Sequence, residues 1–204
     1  MNQELLIIKE IAERLCNKPF DFDENNTPVI KQFIKYFNGD VSFTNNEYSL
    51  RKGLMISGTK GAGKTLLLEI FKKYCHIKRL KHQFRIEFSD DMTDRYANSG
   101  YDGINLYMHN KHQIAVGVEP SKPISLCIDD LGVEKTTVKF YGSEEDVIAK
   151  ILFVRYRLFK QGYLTHASTN LDAGMLKSRY GERLYSRFKE MFNYIYLPGD
   201  DRRQ

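Results

Sequence analysis

Apolar residues in the first part of the chain recur at the spacing of amphipathic helices. The first set at this spacing is Leu5, Ile8, Ile11, Ala12 and Leu15. After a polar stretch, the second set is Val29, Phe33, Ile34 and Phe37, followed by the helix-ending pair Asn38 and Gly39. Residues 1–50 are therefore predicted to form a helical lead-in that packs on the core, because they are too few for a core of their own.

Short apolar runs alternate with further helical patterns in the rest of the chain. The runs span residues 53–57, 84–88, 124–128, 163–169 and 194–197. Strands that alternate with helices are typical of a parallel sheet covered on both faces. The pattern predicts an α/β fold in which a mainly parallel sheet is flanked by helices, with residues 51–204 as the main domain.

The glycine-rich segment GTKGAGKT, residues 58–65, lies between the first apolar run and a helical pattern. It matches the phosphate-binding pattern G-x-x-x-x-G-K-[ST], in which glycines let backbone N–H groups surround phosphates at a helix N-terminus. Lys64 is predicted to bridge the β- and γ-phosphates, and Thr65 to hold Mg²⁺. ATP and Mg²⁺ are thus the expected cofactors, and the expected binding residues are Gly58, Thr59, Lys60, Gly61, Ala62, Gly63, Lys64, Thr65 and Leu66.

Two acidic residues and one amide follow later apolar runs. Asp129 and Asp130 come directly after residues 124–128, where a parallel sheet has the carboxyl edge that binds nucleotides. We expect Asp129 to support the hydrated Mg²⁺ and Asp130 to orient or polarise the attacking water. Asn170 ends the next strand and could hold the water or the γ-phosphate, although such a residue is also a common helix cap.

A late helical segment contains two arginines four residues apart. Arg183 and Arg187 share one face of this helix, while Leu184, Phe188 and Met191 occupy the packed side. Two interpretations remain open at this point. The arginines form a solvated basic face, or one of them reaches the γ-phosphate of a neighbouring subunit.

Composition narrows the class of protein. No apolar run approaches the ~18 residues of a membrane span, so no membrane partner is expected, and the N-terminus lacks the features of a secretory signal. A cytoplasmic protein is predicted. Cys16, Cys75 and Cys127 suggest neither a disulfide framework nor a zinc site, and are expected to be buried thiols. The net charge of +5 permits a polyanionic partner without requiring one.

Four segments, in this order and spacing, resemble the AAA+ ATPases of the DnaC/IstB group: KGLMISGTKGAGKT, CIDDLG, STN and YGERLYSRFKEM. The resemblance covers residues 51–196. It implies a Walker A loop at residues 58–65, Walker B acids at Asp129 and Asp130, and a sensor-1 residue at Asn170. It also implies an arginine finger, with Arg187 as the first choice and Arg183 as the second.

The same resemblance implies an activity and partners. Members of this group hydrolyse ATP slowly, assemble as oligomers around DNA, and serve a replicative helicase or a transposase; similar short ATPases occur in phages and mobile elements. We therefore expect a homo-oligomeric, Mg²⁺-dependent ATPase acting on DNA, with single-stranded DNA as the expected form. The lid of other AAA+ proteins is expected to be reduced or absent, because the chain stops shortly after Leu197, and Arg202 or Arg203 could replace its sensor-2 arginine or form a basic tail.

Contacts to single-stranded DNA are predicted from basic and aromatic residues that occur together. The candidates are Arg95, Tyr96, Tyr101, Tyr107, Lys111, Arg155, Tyr156, Arg157, Phe159 and Lys160. Such residues on helices are also typical of a core and a solvated face. His109 and His112 are interpreted as surface histidines, since no third ligand completes a metal site.

Two other functions share the phosphate loop. A small nucleotide or metabolite kinase has a similar length and fold, but it needs an acceptor pocket and an arginine-bearing lid. A nucleotide-gated DNA-binding scaffold needs no turnover, and the presence of Lys64, Thr65, Asp129 and Asp130 argues against an inactive site. Hydrolysis of ATP is the expected activity, with these two as alternatives.

Overall fold

The sheet at the centre of the protein is formed by parallel strands. The computed structural model describes residues 2–108 and 125–202. Its strands are β1 (Gly53–Ser57), β2 (Phe84–Phe88), β3 (Ser125–Leu131), β4 (Val138–Phe140), β5 (Ser143–Glu145), β6 (Thr165–Thr169) and β7 (Phe192–Tyr196). Five of them form one sheet in the order β2-β3-β6-β1-β7, and all neighbours in it are parallel. The predicted mainly parallel sheet is confirmed.

Helices cover both faces of this sheet, as predicted. They are α1 (Asn2–Cys16), α2 (Asn26–Phe37), α3 (Lys64–Ile77), α4 (Ser89–Met108), α5 (Val147–Phe159) and α6 (Ala173–Met191), with a 3₁₀ helix at Val41–Asn46. One hydrophobic core joins α1, α2 and α3 to the sheet. The other joins α4, α5 and α6 to the opposite face.

The first two helices, α1 and α2, pack against α3. The ring of Phe71 on α3 lies 5.0 Å from that of Phe33 and 5.5 Å from that of Phe37. The carboxylate of Glu4 on α1 accepts a hydrogen bond of 2.5 Å from the hydroxyl of Tyr74. Because α1 and α2 are held in this way, the loop between them has a fixed position beside the start of α3.

Parallel pairing brings the ends of three strands to one edge of the sheet. Ser57 at the end of β1 pairs with Thr169 at the end of β6, and Thr169 also pairs with Leu131 at the end of β3. The register between β3 and β6 shifts between Ile128 and Leu131. The segments that follow β1 and β6, and the acidic end of β3, therefore meet at this edge.

Several element boundaries differ from the sequence-based expectation. The strand predicted from residue 163 begins at Thr165, because the N–H of Tyr163 is still bonded to Leu158 in the turn that ends α5. The strand expected at 124–128 is described from Ser125 and continues through both acids to Leu131. The hairpin β4–β5 was not predicted. Among the described residues, no helix is both long and apolar enough to cross a membrane.

Candidate nucleotide site

The glycine-rich loop connects β1 to α3, as its pattern requires. Gly63 caps α3 with a φ of +97°, a left-handed conformation that favours glycine, and the helix starts at Lys64. A side chain at Gly58 would place its Cβ only 2.4 Å from the carbonyl oxygen of Leu197. The loop therefore needs glycine both for its turn and for the close approach of a second backbone segment.

Lys64 lies at the centre of the site. Its side chain is buried, and Nζ donates hydrogen bonds to the carbonyl oxygens of Gly58 (2.9 Å) and Thr59 (2.8 Å). A third bond, of 2.6 Å, goes to Oδ1 of Asn170 after β6. The amide of Asn170 in turn donates to Oδ1 of Asp130 at 3.4 Å. Three of the predicted site residues are thus joined in one chain of contacts.

Asp129 is completely buried at the end of β3. Burial raises the pKa of its carboxyl above the usual value, although the hydroxyl groups of Ser168 and Thr65 act in the opposite direction. The hydroxyl of Ser168 donates a short hydrogen bond to Oδ1. The second oxygen, Oδ2, has no hydrogen-bond partner among the described residues. A buried carboxylate oxygen without a partner is costly unless a ligand or cation satisfies it.

This arrangement fits Mg²⁺ bound mainly through a nucleotide. Within the described part of the chain, no group of three or more His, Cys, Asp or Glu side chains could hold a metal ion alone. Mg²⁺ commonly takes only one or two protein oxygen ligands and completes its octahedron with phosphate oxygens and water. Thr65 and Asp129 are the side chains that would hold it.

Asp130 has a backbone conformation that few non-glycine residues adopt. Its φ is +53°, in the left-handed region, where Asp and Asn are tolerated better than most residues. The serine that holds Asp129 also holds this turn, since the N–H of Asp130 donates to Ser168 Oγ at 3.0 Å. The carbonyl of Asp130 accepts from the hydroxyl of Ser89 at 2.8 Å. The two adjacent acids therefore differ in position: Asp129 is buried, whereas Asp130 lines a cavity.

That cavity lies above the phosphate loop and has a volume of about 820 Å³. This volume is within the range of small-molecule sites. One end is lined by Lys64, Thr65, Asp130 and Asn170. The wall that sequence analysis missed comes from the end of α1 and the loop after it, and consists of Cys16, Lys18, Pro19, Phe20, Asp21 and Asp23. Cys16 is thus only half-buried, unlike Cys75 and Cys127, and the prediction of three buried thiols is wrong for it.

A buried acid that sequence analysis also missed connects the end of β3 to α6. The carboxylate of Glu134 accepts hydrogen bonds from the N–H of Gly132 (2.7 Å), the guanidinium of Arg179 (2.7 Å) and the hydroxyl of Tyr180 (2.6 Å). Burial, followed by the charge of Glu134, raises the pKa of Tyr180 above its usual value. The segment after Asp130 and the first half of α6 are therefore joined by a network away from solvent.

Arg183 and Arg187 lie outside this cavity, in the half of α6 that follows a break in helical geometry at Gly181. Their guanidinium carbons lie 5.6 Å and 4.8 Å from the centre of the Phe153 ring, so they share one face. Arg187 is also 4.8 Å from the centre of the Tyr156 ring. Leu184, Phe188 and Met191 are buried on the opposite side. Among the described residues, neither arginine belongs to the lining of the cavity in its own chain.

Three of the predicted DNA contacts are wrong. Tyr96, Tyr107 and Arg155 are each only 1% exposed. The guanidinium of Arg155 donates to Thr165 Oγ1 at 2.8 Å and to the carbonyl of Leu164 at 2.6 Å, and burial lowers its pKa to about 10. These three helical side chains therefore face the core. Arg95, Tyr101, Tyr156, Arg157, Phe159 and Lys160 are at least partly exposed, whereas His109, Lys111, His112 and Arg203 lie outside the described residues.

Solved structures of replication proteins have the same fold. A primosome component from Streptococcus pyogenes serotype M3 aligns over 89% of this chain and 84% of its own, with a TM-score of 0.58 and 16% identity. DnaI aligns over 87% of this chain and 88% of its own, with a TM-score of 0.55 and 21% identity. The replication initiator DnaA, bound to AMPPCP and single-stranded DNA, aligns over 89% of this chain, with a TM-score of 0.57 and 16% identity.

The chain spans about half, 49%, of the length of the two DnaA chains that contain AMPPCP, and 64% of the DnaA domain III chain from Thermotoga maritima. No protein-family model matches the sequence, and no curated protein matches it either. At these identities the likeness shows the fold alone, which is an α/β fold with a mainly parallel sheet flanked by helices.

Proposed function

We propose that this protein is a Mg²⁺-dependent ATPase of the AAA+ type that acts on DNA. The observation that supports this most is the convergence of Lys64, Asn170 and Asp130 at one end of a cavity of nucleotide size. Thr65 and the buried Asp129 lie beside them. A binding-only site would not need a water-activating carboxylate held in a strained turn.

Each of these residues has a role in hydrolysis under this proposal. The N–H groups of the phosphate loop and Lys64 hold the β- and γ-phosphates. Mg²⁺, when bound, withdraws charge from the phosphate oxygens. Asp130 orients a water molecule whose oxygen attacks the γ-phosphorus, and it accepts the proton that this water loses. Asn170 keeps Lys64 and Asp130 in place, and ADP is the leaving group.

An arginine from a second copy completes the site in this proposal. Among the described residues, Lys64 is the basic side chain bonded to Asn170 at the catalytic end, while Arg183 and Arg187 lie on a separate face of the same chain. The wall of the cavity contains acidic residues (Asp21, Asp23 and Asp130) and basic residues (Lys18, Lys60, Lys64 and Arg202). The proposed assembly is head to tail, so that the arginine face of one subunit, which carries Arg183 and Arg187, covers the cavity of the next. Arg187 is the first choice for the trans-acting residue, and Arg183 the second.

The proposed partner is single-stranded DNA, with a replicative helicase or transposase as the protein served, in the cytoplasm. Support comes from the DnaA structure that contains AMPPCP and single-stranded DNA, and from the likeness to a primosome component. The positive net charge of the chain is compatible with such a partner. Arg157 and Lys160 are exposed candidates for phosphate contacts.

The test compares wild-type protein with Asp130→Asn. Asparagine tolerates the left-handed conformation and keeps the size of the side chain, so the fold should persist. We expect ATP binding within about threefold of wild type, and Mg²⁺-dependent phosphate release reduced by about 10² or more. Equal phosphate release by both proteins would contradict the proposed role of Asp130. Transfer of the γ-phosphate to a nucleoside or metabolite instead of water would support the kinase alternative.

A further inference from the structure

A short segment after β7 runs back across the phosphate loop. The segment, residues 197–202, is called the strap below. The N–H of Leu197 donates to the carbonyl of Ser57 at 2.8 Å, and the hydroxyl of Thr59 donates to the carbonyl of Gly199 at 2.6 Å. The N–H of Arg202 donates to the carbonyl of Gly61 at 3.0 Å. The strap is therefore fixed to the loop that is proposed to hold the phosphates.

The strap places a guanidinium group in the wall of the cavity. Arg202 lines the cavity together with Gly61, Gly63 and Leu66. Its Cδ would lie 3.9 Å from a Cβ built on Gly63, so the side chain runs beside the turn that starts α3. Leu66 lies in the first turn of that helix. The guanidinium thus lies near the part of the cavity between the phosphate loop and the loop after α1.

Asp23 holds this guanidinium in position. Its Oδ2 lies 2.7 Å from Nη1 of Arg202. Its Oδ1 accepts hydrogen bonds from the N–H groups of Asn25 (2.8 Å) and Asn26 (2.7 Å), which fix the carboxylate at the start of α2. Burial alone would raise the pKa of Asp23, but the bonds from Arg202, Asn26 and Asn25 lower it below the usual value. The pair is therefore ionised at neutral pH.

An arginine held by one carboxylate can bind a second anion. A guanidinium has five N–H donors in a rigid fork, and its geometry suits both carboxylates and phosphates. The ion pair with Asp23 uses Nη1, while Nη2 and Nε lie 3.3 Å and 3.5 Å from a Cβ built on Gly199 of the strap, and Arg202 lines the cavity. Because the group is already oriented, little conformational entropy is lost when it binds a ligand.

We infer that Arg202 binds the α- and β-phosphates of the nucleotide, and that Asp23 is its positioning residue. This inference rests on the proposed function and identifies a contact that comes from the strap. The group that Arg202 binds is the diphosphate shared by ADP and ATP. The bound nucleotide would then connect the phosphate loop, the strap and the loop between α1 and α2.

Titration of fluorescent ADP and ATP analogues, with adenosine as a competitor, tests this assignment. Arg202→Ala should weaken the binding of ADP and of ATP by the same factor, about 10- to 100-fold for one charge-assisted contact. The affinity for adenosine, measured by competition, should be unchanged. Arg202→Lys should recover part of the loss. Asp23→Asn should weaken the binding of both nucleotides by about three- to tenfold. Arg51→Ala, which removes an exposed arginine outside the cavity lining, should change neither affinity.

Other results would overturn the inference in distinguishable ways. A loss confined to ATP would place Arg202 at the γ-phosphate, and tighter binding by Asp23→Asn would make the aspartate a competitor instead of a support. Variants that bind both nucleotides as well as wild type would overturn the inference alone. Wild-type protein that binds neither nucleotide would overturn the proposed function as well. Thermal unfolding without nucleotide shows whether each variant is folded.

Discussion

The ammonium group of Lys64 donates a 2.6 Å hydrogen bond to Oδ1 of Asn170, across 106 positions of the chain. The bond joins the start of α3 to the segment after β6. It also orients the amide of Asn170, whose nitrogen then faces the carboxylate of Asp130. The proposed phosphate-binding cation and the proposed water-orienting acid are therefore held by the same side chain.

This relationship predicts different effects for substitutions at its two ends. Lys64→Ala should remove detectable ATP binding, because it deletes the cation at the phosphates. Asn170→Ala should keep ATP affinity within about fivefold but lower phosphate release by about 10² at saturating ATP, because an interaction that acts mainly in the transition state is lost. Equilibrium binding and steady-state kinetics measure the two quantities.

Lys73→Ala is the matched control for Lys64→Ala, since Lys73 is exposed on the same helix. It should change neither quantity. Tight ATP binding by Lys64→Ala would contradict the assignment of the phosphate loop.

The arginine face predicts complementation between two inactive variants. Arg187→Ala should bind ATP like wild type but hydrolyse it about 10²- to 10³-fold more slowly, because the neighbouring site loses a cation in the transition state. Asp130→Asn keeps Arg187 but lacks its own catalytic acid. A mixture of the two variants should therefore regain part of the wild-type activity, as measured by phosphate release.

No recovery in the mixture would mean that Arg187 does not act across subunits. Unchanged turnover by Arg187→Ala together with slow turnover by Arg183→Ala would transfer the role to Arg183. Both variants need a thermal unfolding measurement, because each arginine also packs on the ring of Phe153.

A substitution of the buried Glu134 that keeps its size should cause a large loss of stability. Glu134→Gln keeps the volume of the side chain but removes the charge that faces the partly buried guanidinium of Arg179. We expect the free energy of unfolding to fall by about 3 kcal/mol. Glu182→Gln breaks an exposed ion pair with Lys177 and should change it by less than about 0.5 kcal/mol. Urea denaturation measures the free energy of unfolding of both variants. Equal losses would show that the buried network around Glu134 stabilises the fold no more than an exposed ion pair does.

His166 predicts a pH dependence of stability. Its ring is buried, and Nδ1 accepts the N–H of Leu54 at 3.0 Å. Burial, together with the positive charges of His82 and Arg155, lowers its pKa from 6.5 to about 3. Between these values the unfolded chain binds the proton and the folded chain does not, so stability falls as the pH decreases, by up to about 1.4 kcal/mol per pH unit.

The matched comparison is His166→Asn, whose amide oxygen can also accept from Leu54. This variant should be less stable at pH 7, because it loses ring packing. Its free energy of unfolding should approach that of wild type between pH 6.5 and 4.5, because only the wild type loses stability through His166 in this range. Denaturation curves at each pH give the difference. A constant or widening difference would contradict a neutral, buried imidazole.

The sequence predicted the parts of the site that are encoded locally. The phosphate loop and Asn170 each follow a buried strand, the two acids lie near the end of β3, and parallel pairing brings such strand ends together. Local patterns do not show which distant segments complete the cavity. Asp23 and Arg202 meet only because the loop after α1 and the strap both cross the same edge of the fold.

Sequence patterns also did not show which side chains of each helix are buried. Arg155 belongs to a helix rich in basic and aromatic residues, and its composition suggested DNA contact, but the side chain is buried and hydrogen-bonded to Leu164 and Thr165. Similarly, Glu134 gave no sequence signal because its partner Tyr180 lies 46 positions away. Long-range polar pairs of this kind need the tertiary structure to be recognised.

The rate of ATP hydrolysis per subunit, measured over a range of protein concentrations with and without single-stranded DNA, tests the central claim most directly. A site completed by a neighbouring arginine predicts that this rate rises with protein concentration and rises further with DNA. A rate that is independent of both concentration and DNA would contradict the account and would indicate a self-contained monomeric enzyme.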